Sequence, residues 1–180
     1  MPKSTQEKII YGFQDTPLGE MIVAKSGSKS NEGLCWIGFM TTRVQGSYKG
    51  DAFERMKVFL PEAEFVHDDQ AVKADVDAVI SAWETDDLSA LKLDLRGTEF
   101  QKSVWQSLLK IPKGKLVSYG EVANDIDRPK AYRAVGTAVG ENPLTLIVPC
   151  HRVVQASGAL GNYGWGLQVK ERLLELEGAV

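Results

Sequence analysis

A cysteine, a histidine and an arginine stand in a row at Cys150, His151 and Arg152, directly after Pro149 in "LIVPCHRVV". A thiol becomes a nucleophile when its thiolate is favoured by a base or by nearby positive charge. A catalytic imidazole also needs an acidic partner to hold its tautomer. Glu171, Glu175 and Glu177 in the terminal stretch "QVKERLLELEG" are the candidates, and spacing does not choose among them. Arg152 fits a structural ion pair as well as it fits a contribution to thiolate stability. The competing reading of Cys150 is a small buried hydrophobe, the commoner fate of a free cysteine.

Other chemistries find little support. Two cysteines and two histidines are too few, and too badly spaced, for a structural zinc site, so no metal is expected. Cys35 sits beside Trp36 in an apolar run and reads as core, while His67 reads as a surface histidine in a polar connector. The N-terminus lacks the apolar core of a signal peptide, and no run approaches the ~18 apolar residues of a membrane span. A cytoplasmic protein with no membrane partner is expected, and a reducing compartment argues against a disulfide.

The chain carries a net charge of −3, unevenly spread. Residues 1–95 are net −6 and residues 96–180 net +3. Seven bases lie between Phe100 and Arg133, namely Lys102, Lys110, Lys113, Lys115, Arg128, Lys130 and Arg133, against Glu121, Asp125 and Asp127. Such asymmetry fits a phosphate-facing surface on an acidic protein, and equally a solvated helix face.

The elements that must position these groups follow from periodicity and turn signals. "KIIYGFQ", "EMIVAKS" and "GLCWIGFM" read as strands of a small antiparallel sheet. Helices are expected from Tyr48 to Leu60 and from Asp69 to Trp83, the second with Val72, Val76, Val79, Ile80 and Trp83 on one stripe. "ETDDLSALKLDLRG" reads as a linker. Beyond it, Thr98 caps a helix whose face holds Phe100, Val104, Leu108 and Ile111. Ser118 and Glu121 form a capping box opening "SYGEVANDID". After a turn at Asp127-Arg128 comes "PKAYRAVGTAVGEN", with Pro129 suited to the first helical turn. The pair has a helix-turn-helix signature. Its second helix is small-sided, with Ala131, Ala134, Gly136, Thr137, Ala138 and Gly140 around one long cation, Arg133. That suits close packing against another helix or entry into a nucleic-acid groove. The apolar run before Cys150 reads as a buried strand. "ASGALGNYGWG" after it reads as a pair of turns or as a pocket wall bearing Tyr163 and Trp165.

The class is therefore α+β: a small antiparallel sheet with helices in an N-terminal domain, then a mostly α C-terminal domain containing a helix-turn-helix. "FQKSVWQSLLKIPKGKLVSYGEVA", "RPKAYRAVGTAVGENP" and "IVPCHRVVQASGALGNYGWGLQVKERLLELEG" carry a closer signal, with Asn142-Pro143 seven residues ahead of Pro149-Cys150. In these stretches the chain resembles the O6-alkylguanine-DNA alkyltransferases of bacterial type, the methylated-DNA–protein-cysteine methyltransferases. The resemblance implies a ribonuclease H-like supporting domain over 1–92 and an alkyltransferase domain over 93–180. It implies direct repair without cofactor or metal: one irreversible transfer of an alkyl group, mainly methyl, from guanine O6 to Cys150. A second substrate, O4-alkylthymine, is left open. By the same resemblance His151 is a water-bridged base, Glu177 completes the relay and Asn142 braces the active-site loop.

Tyr119, Val153, Tyr163, Gly164 and Trp165 would surround the flipped base, with Trp165 narrowing the pocket towards methyl and against benzyl. Tyr119, Gln101, Arg128, Ala131, Tyr132, Arg133 and Gly136 would meet DNA, with Arg133 filling the gap in the stack. The implied partner is double-stranded DNA containing O6-alkylguanine, bound through its minor groove by a monomer. Cys150 itself argues against the alkyltransferase-like proteins that only flag the lesion, and no oxyanion-hole motif supports a Cys-His hydrolase.

Overall fold

A computed structural model of the chain describes residues 6–27, 33–40, 52–161 and 163–180. They form two compact units, 1–95 and 96–180. Among the described residues no helix is long and apolar enough to cross a membrane.

The first unit is built on a four-stranded sheet of order β3-β2-β1-β4. β1 (Lys8–Thr16) and β2 (Gly19–Ser26) form an antiparallel hairpin with Thr16 opposite Gly19. Its two-residue turn is closed by Gly19 at φ +113°, a backbone region open to glycine and strained for other residues. β3 (Leu34–Phe39) pairs antiparallel with β2 and is buried throughout. The sheet is mixed rather than purely antiparallel, because Glu64–His67 forms β4, parallel to β1. His67 therefore lies in an edge strand and not in a connector. Its ring stacks on Tyr11 at 5.0 Å, and its Nε2 lies 2.7 Å from Asp69 Oδ1.

Two helices serve this sheet. α1 (Ala52–Phe59) covers the later part of the helix expected from Tyr48; residues 48–51 lie outside the described residues. α2 (Asp69–Thr85) is capped by the Asp68 side chain on Ala71 N and buries Val72, Val76, Val79 and Ala82. Its approach to β1 depends on Gly12, where a Cβ would stand 2.6 Å from Val72 Cγ2 and 2.7 Å from Asp69 Cα. The segment read as a linker is partly docked. Leu34 N donates to Lys92 O and Asp94 N to Leu34 O, each at 2.8 Å, so residues 92–94 cover the free edge of β3. That pairing carries the unit past the boundary expected at 92.

The second unit opens with α3 (Glu99–Leu108), whose N-terminus is a complete capping box of Thr98 and Gln101. β5 (Val117–Ser118) leads into α4 (Tyr119–Asp125), and Ser118 and Glu121 form the second box. The turn to α5 (Tyr132–Gly140) places Asp127 at φ +59°. Pro129 does not enter the helix: α5 starts three residues later, behind Ala131, which makes no side-chain cap bond. The run before Cys150 is not a strand either. It folds back on itself, with Val148 N on Leu144 O at 2.9 Å and Leu146 at φ +77°. A 3-10 turn at Cys150–Arg152 then feeds β6 (Val153–Val154), which pairs parallel with β5 through Val117↔Val153 and Ser118↔Val154. α6 (Leu167–Leu176) closes the unit.

Candidate active site

The thiol is presented by the fold-back turn, and Asn142 holds that turn together. Its Nδ2 donates to Val148 O at 2.8 Å, and its Oδ1 accepts from Leu144 N at 2.9 Å. Both bonds are buried, so the amide pairs the Leu144 N–H away from water and shares the Val148 carbonyl. Cys150 N then donates to Val148 O at 2.8 Å. Cys150 is 6% exposed. Burial pushes its pKa up, opposed by the Asn142 amide, the positive charge of Lys170 and the Tyr163 hydroxyl. The resting group is therefore a thiol, and a base must take its proton at the moment of attack.

The next residue, His151, supplies an imidazole. It is fully buried, and its Nε2 lies 2.8 Å from Glu177 Oε2. A carboxylate only accepts, so Nε2 carries the hydrogen and the lone pair sits on Nδ1. Nδ1 is buried and has no hydrogen-bond partner among the described residues. Burial lowers the His151 pKa more than Glu177 raises it, which keeps the ring neutral and basic. Glu177, just past the end of α6, is selected from the three candidate glutamates. Burial alone would raise its carboxyl, but the hydrogen bonds from His151 and Arg152 and the Arg152 charge bring it down to about 2. Arg152 is thereby explained: its guanidinium grips Glu177 and also donates to Ile111 O at 2.7 Å.

One functional residue is absent from the sequence-based expectations. Lys170 on α6 is fully buried; its Nζ donates to Val153 O at 2.7 Å and also to Leu160 O. Burial lowers its pKa to about 8, while attraction to Cys150 works in the opposite direction. A sequence signal exists: Lys170, Leu173, Leu174 and Glu177 fall on one helical stripe, and all four are buried.

The remaining predicted residues divide into those gathered near the thiol and those lying elsewhere. Tyr119 is half-buried at the start of α4, and its pKa is raised by burial and by the Cys150 charge. A Cβ on Gly161 would lie 3.4 Å from its hydroxyl, and one on Gly136 3.8 Å from its ring. Both glycines therefore lie at ordinary contact distance from the tyrosine. The buried Tyr163 hydroxyl approaches Cys150 without completing a hydrogen bond of good geometry, and burial raises its pKa well above the ordinary value. Gly164 and Trp165 form the middle of a turn closed by Gly166 N on Tyr163 O at 3.0 Å. The Val153 carbonyl already accepts Lys170, and that of Cys150 accepts Val153 N, leaving each a second lone pair.

On the helix pair, α5 turns Val135, Ala138 and Val139 inward and exposes Tyr132, Arg133, Ala134 and Thr137. Arg128 is exposed in the turn before it, with Ala131 half-buried. Gln101 has another engagement: its side chain completes the α3 cap and reaches Glu141 Oε1 at 3.3 Å.

A buried thiol backed by a neutral imidazole, itself oriented by a clamped carboxylate, is built for a nucleophilic attack by sulfur. With the helix pair beside it, this defines a cysteine-centred transferase fold of α+β class. The family model for the 6-O-methylguanine DNA methyltransferase DNA binding domain matches residues 99–179. A methylated-DNA–protein-cysteine methyltransferase of Methanosarcina acetivorans is 39% identical, the match covering 94% of this chain and 98% of that one. A protein of the same name from Mycobacterium leprae is 42% identical over 91% of this chain and 88% of its own. Among solved structures, Mycobacterium tuberculosis OGT in complex with DNA superposes with a TM-score of 0.73 at 38% identity, covering 94% of this chain and 93% of that one. The chain belongs to the methylated-DNA–protein-cysteine methyltransferase family.

Proposed function

We propose that this protein repairs DNA directly by moving an alkyl group from O6 of guanine to the sulfur of Cys150, once per molecule. The observation that carries the reading is the His151–Glu177 pair behind a buried thiol, with the imidazole lone pair at Nδ1 unclaimed by any described residue. The thiol proton passes to His151 Nδ1 through a bridging water. The Sγ–carbon bond forms as the carbon–O6 bond breaks, and the electron pair stays with guanine, which takes up a proton. Tyr119, directed at guanine N3, is the donor in this scheme. The second lone pairs of the Cys150 and Val153 carbonyls read the guanine amino group, and Tyr163 with the Gly164 amide stands near O6. No cofactor enters the balance.

A base within a duplex cannot reach a buried thiol, so the nucleotide is rotated out, at a cost of a few kcal/mol. The exposed face of α5 suits this rotation, because small residues permit close entry into the minor groove and Arg133 fills the stack. Arg128, Ala131, Tyr132 and Gly136 are the neighbouring DNA contacts, with Gln101 at the margin. The first unit is read as a ribonuclease H-like support, in keeping with its parallel β1–β4 pair. Every group in the scheme comes from one chain, which suits a monomer. Two free, buried cysteines fit a reducing cytoplasm.

The test is incubation with a duplex oligonucleotide containing O6-methylguanine, followed by mass mapping of the Cys150 peptide. One methyl gained per molecule supports transfer. An unmodified thiol on a protein that still binds the lesion would mark a recognition module, and repeated turnover would exclude a consumed thiol.

A further inference from the structure

Trp105, on α3, is fully buried, and no role described so far uses it. Its Nε1 donates to Ala138 O, in the last turn of α5, at 2.8 Å. A helix leaves its last four carbonyls without the regular partner four residues ahead. For Ala138 that partner would be Asn142 N, which instead bonds Val139 O at 3.4 Å as the chain leaves the helix. The Glu141 N–H is shared between Thr137 O and Ala138 O, each at 3.1 Å. The indole thus gives Ala138 O a shorter bond than Glu141 does. It does so where α5 hands the chain to Asn142 and the fold-back turn.

The other end of the ring is confined as well. A Cβ on Gly97 would stand 2.5 Å from Trp105 Cζ3 and 2.7 Å from its Cη2, so the backbone ahead of α3 abuts the six-membered ring. One turn before the tryptophan, Gln101 completes the α3 cap and reaches Glu141 Oε1 at 3.3 Å. α3 therefore holds the end of α5 by a buried bond to its backbone and an exposed bond to a side chain. The buried bond governs, because an indole N–H and a carbonyl withdrawn from water strongly disfavour any arrangement that separates them. The helix so held carries Arg133 five residues before Ala138, exposed together with Tyr132, Ala134 and Thr137.

We propose that Trp105 is a positioning residue for duplex DNA: by fixing the end of α5, it sets where Arg133 meets the base stack relative to the turn that presents Cys150. This rests on the reading that α5 enters the minor groove and that Cys150 receives the group from O6-alkylguanine. Trp105 acts through α5 and touches no substrate.

The experiment measures single-turnover rates of the full chain, Trp105→Phe and Gly97→Ala on an O6-methylguanine oligonucleotide, presented as a duplex and as a single strand. Trp105→Phe keeps an aromatic ring and removes the donor. Gly97→Ala keeps the donor and presses a methyl group into the ring. Trp105→Phe is expected to lower the duplex-to-single-strand rate ratio about fivefold, the change that one lost hydrogen bond allows. Gly97→Ala should shift the ratio the same way. A merely structural role would slow both substrates alike and leave the ratio where it was. Combination with Arg133→Ala locates the effect: if Trp105 acts through α5, Trp105→Phe should lower the ratio far less in that background than alone. If Trp105→Phe fails to fold, Gly97→Ala carries both comparisons. An unchanged ratio in whichever variant folds and transfers methyl, or an undiminished further loss on top of Arg133→Ala, overturns the positioning role alone. No methyl transfer from either substrate by the unaltered protein overturns the reading of function, and the positioning role with it.

Discussion

Arg152 closes on Glu177 through two bonds, Nε to Oε1 and Nη2 to Oε2, each 2.9 Å long, and His151 shares the second of those oxygens. A bidentate, charge-assisted pair of this kind is among the stronger polar contacts a protein can make. Buried with the imidazole, it fixes the carboxylate so that the carboxylate can fix the ring.

The clamp ties part of the protein's acid stability to Glu177. The Glu177 pKa falls from 4.5 to about 2 on folding. A depressed pKa contributes stability that is full above the unfolded value and lost as pH falls towards the folded one. About 3 kcal/mol should disappear between those limits, at 1.36 kcal/mol per unit. Glu177→Gln, which cannot titrate, should be less stable at neutral pH and lack this acid-dependent loss. Urea unfolding at a series of pH values reads the difference; the same acid slope in both proteins would refute it.

Transfer should tolerate acid better than an ordinary histidine base permits. The folded pKa of His151 lies below its usual 6.5 because burial disfavours the charged ring. The neutral, proton-accepting form therefore persists as pH drops through that value. Single-turnover rates should hold across pH 6.5 and decline only below it. A rate halved at 6.5 would show an imidazole that is not depressed.

Lys170 should matter twice. Lys170→Met removes the donor to the Val153 and Leu160 carbonyls, at about 1–3 kcal/mol for the buried Val153 acceptor if left unpaired. It also removes a positive charge that lowers the Cys150 pKa. The pH profile of Cys150 alkylation by iodoacetamide, resolved from Cys35 by peptide mapping, should move to higher pH, and methyl transfer should slow. A profile that does not move would reduce Lys170 to a packing role.

Arg133 should be needed for duplex and not for sulfur chemistry. Its side chain is exposed on α5, whereas the relay is buried. Arg133→Ala should slow transfer from a duplex lesion about tenfold or more, since unstacking a base step costs a few kcal/mol. Transfer from a single-stranded oligonucleotide should change far less. Equal losses on both substrates would place Arg133 in the chemistry or the general binding.

What can be read from sequence divides by the range of the interaction. The two capping boxes, Thr98 with Gln101 and Ser118 with Glu121, are local and form as expected. β4 is not legible because its partner is Lys8–Tyr11, more than fifty residues away, and its own four residues carry little pattern. "LIVP" looks like a strand because a buried turn and a buried strand present the same apolar run; the difference lies in Leu146 at φ +77° and in the Asn142 bonds. Lys170 stays hidden because a lysine in an amphipathic helix reads as solvated until its partners are known. Choosing Glu177 over Glu171 and Glu175 requires either the resemblance or the buried stripe, since both others are exposed.

The β5–β6 pair is only two residues long on each side, yet it binds the residue before α4 to the strand that follows Cys150, His151 and Arg152. It works as a ruler. The point at which α4 begins and the point at which the sulfur waits are held at one separation by two rungs of backbone, whatever the surrounding side chains do. A rotated nucleotide has a fixed reach, set by its own sugar and phosphate. A protein that must catch such a base once, without a second attempt, gains from a measuring length that does not vary between one molecule and the next.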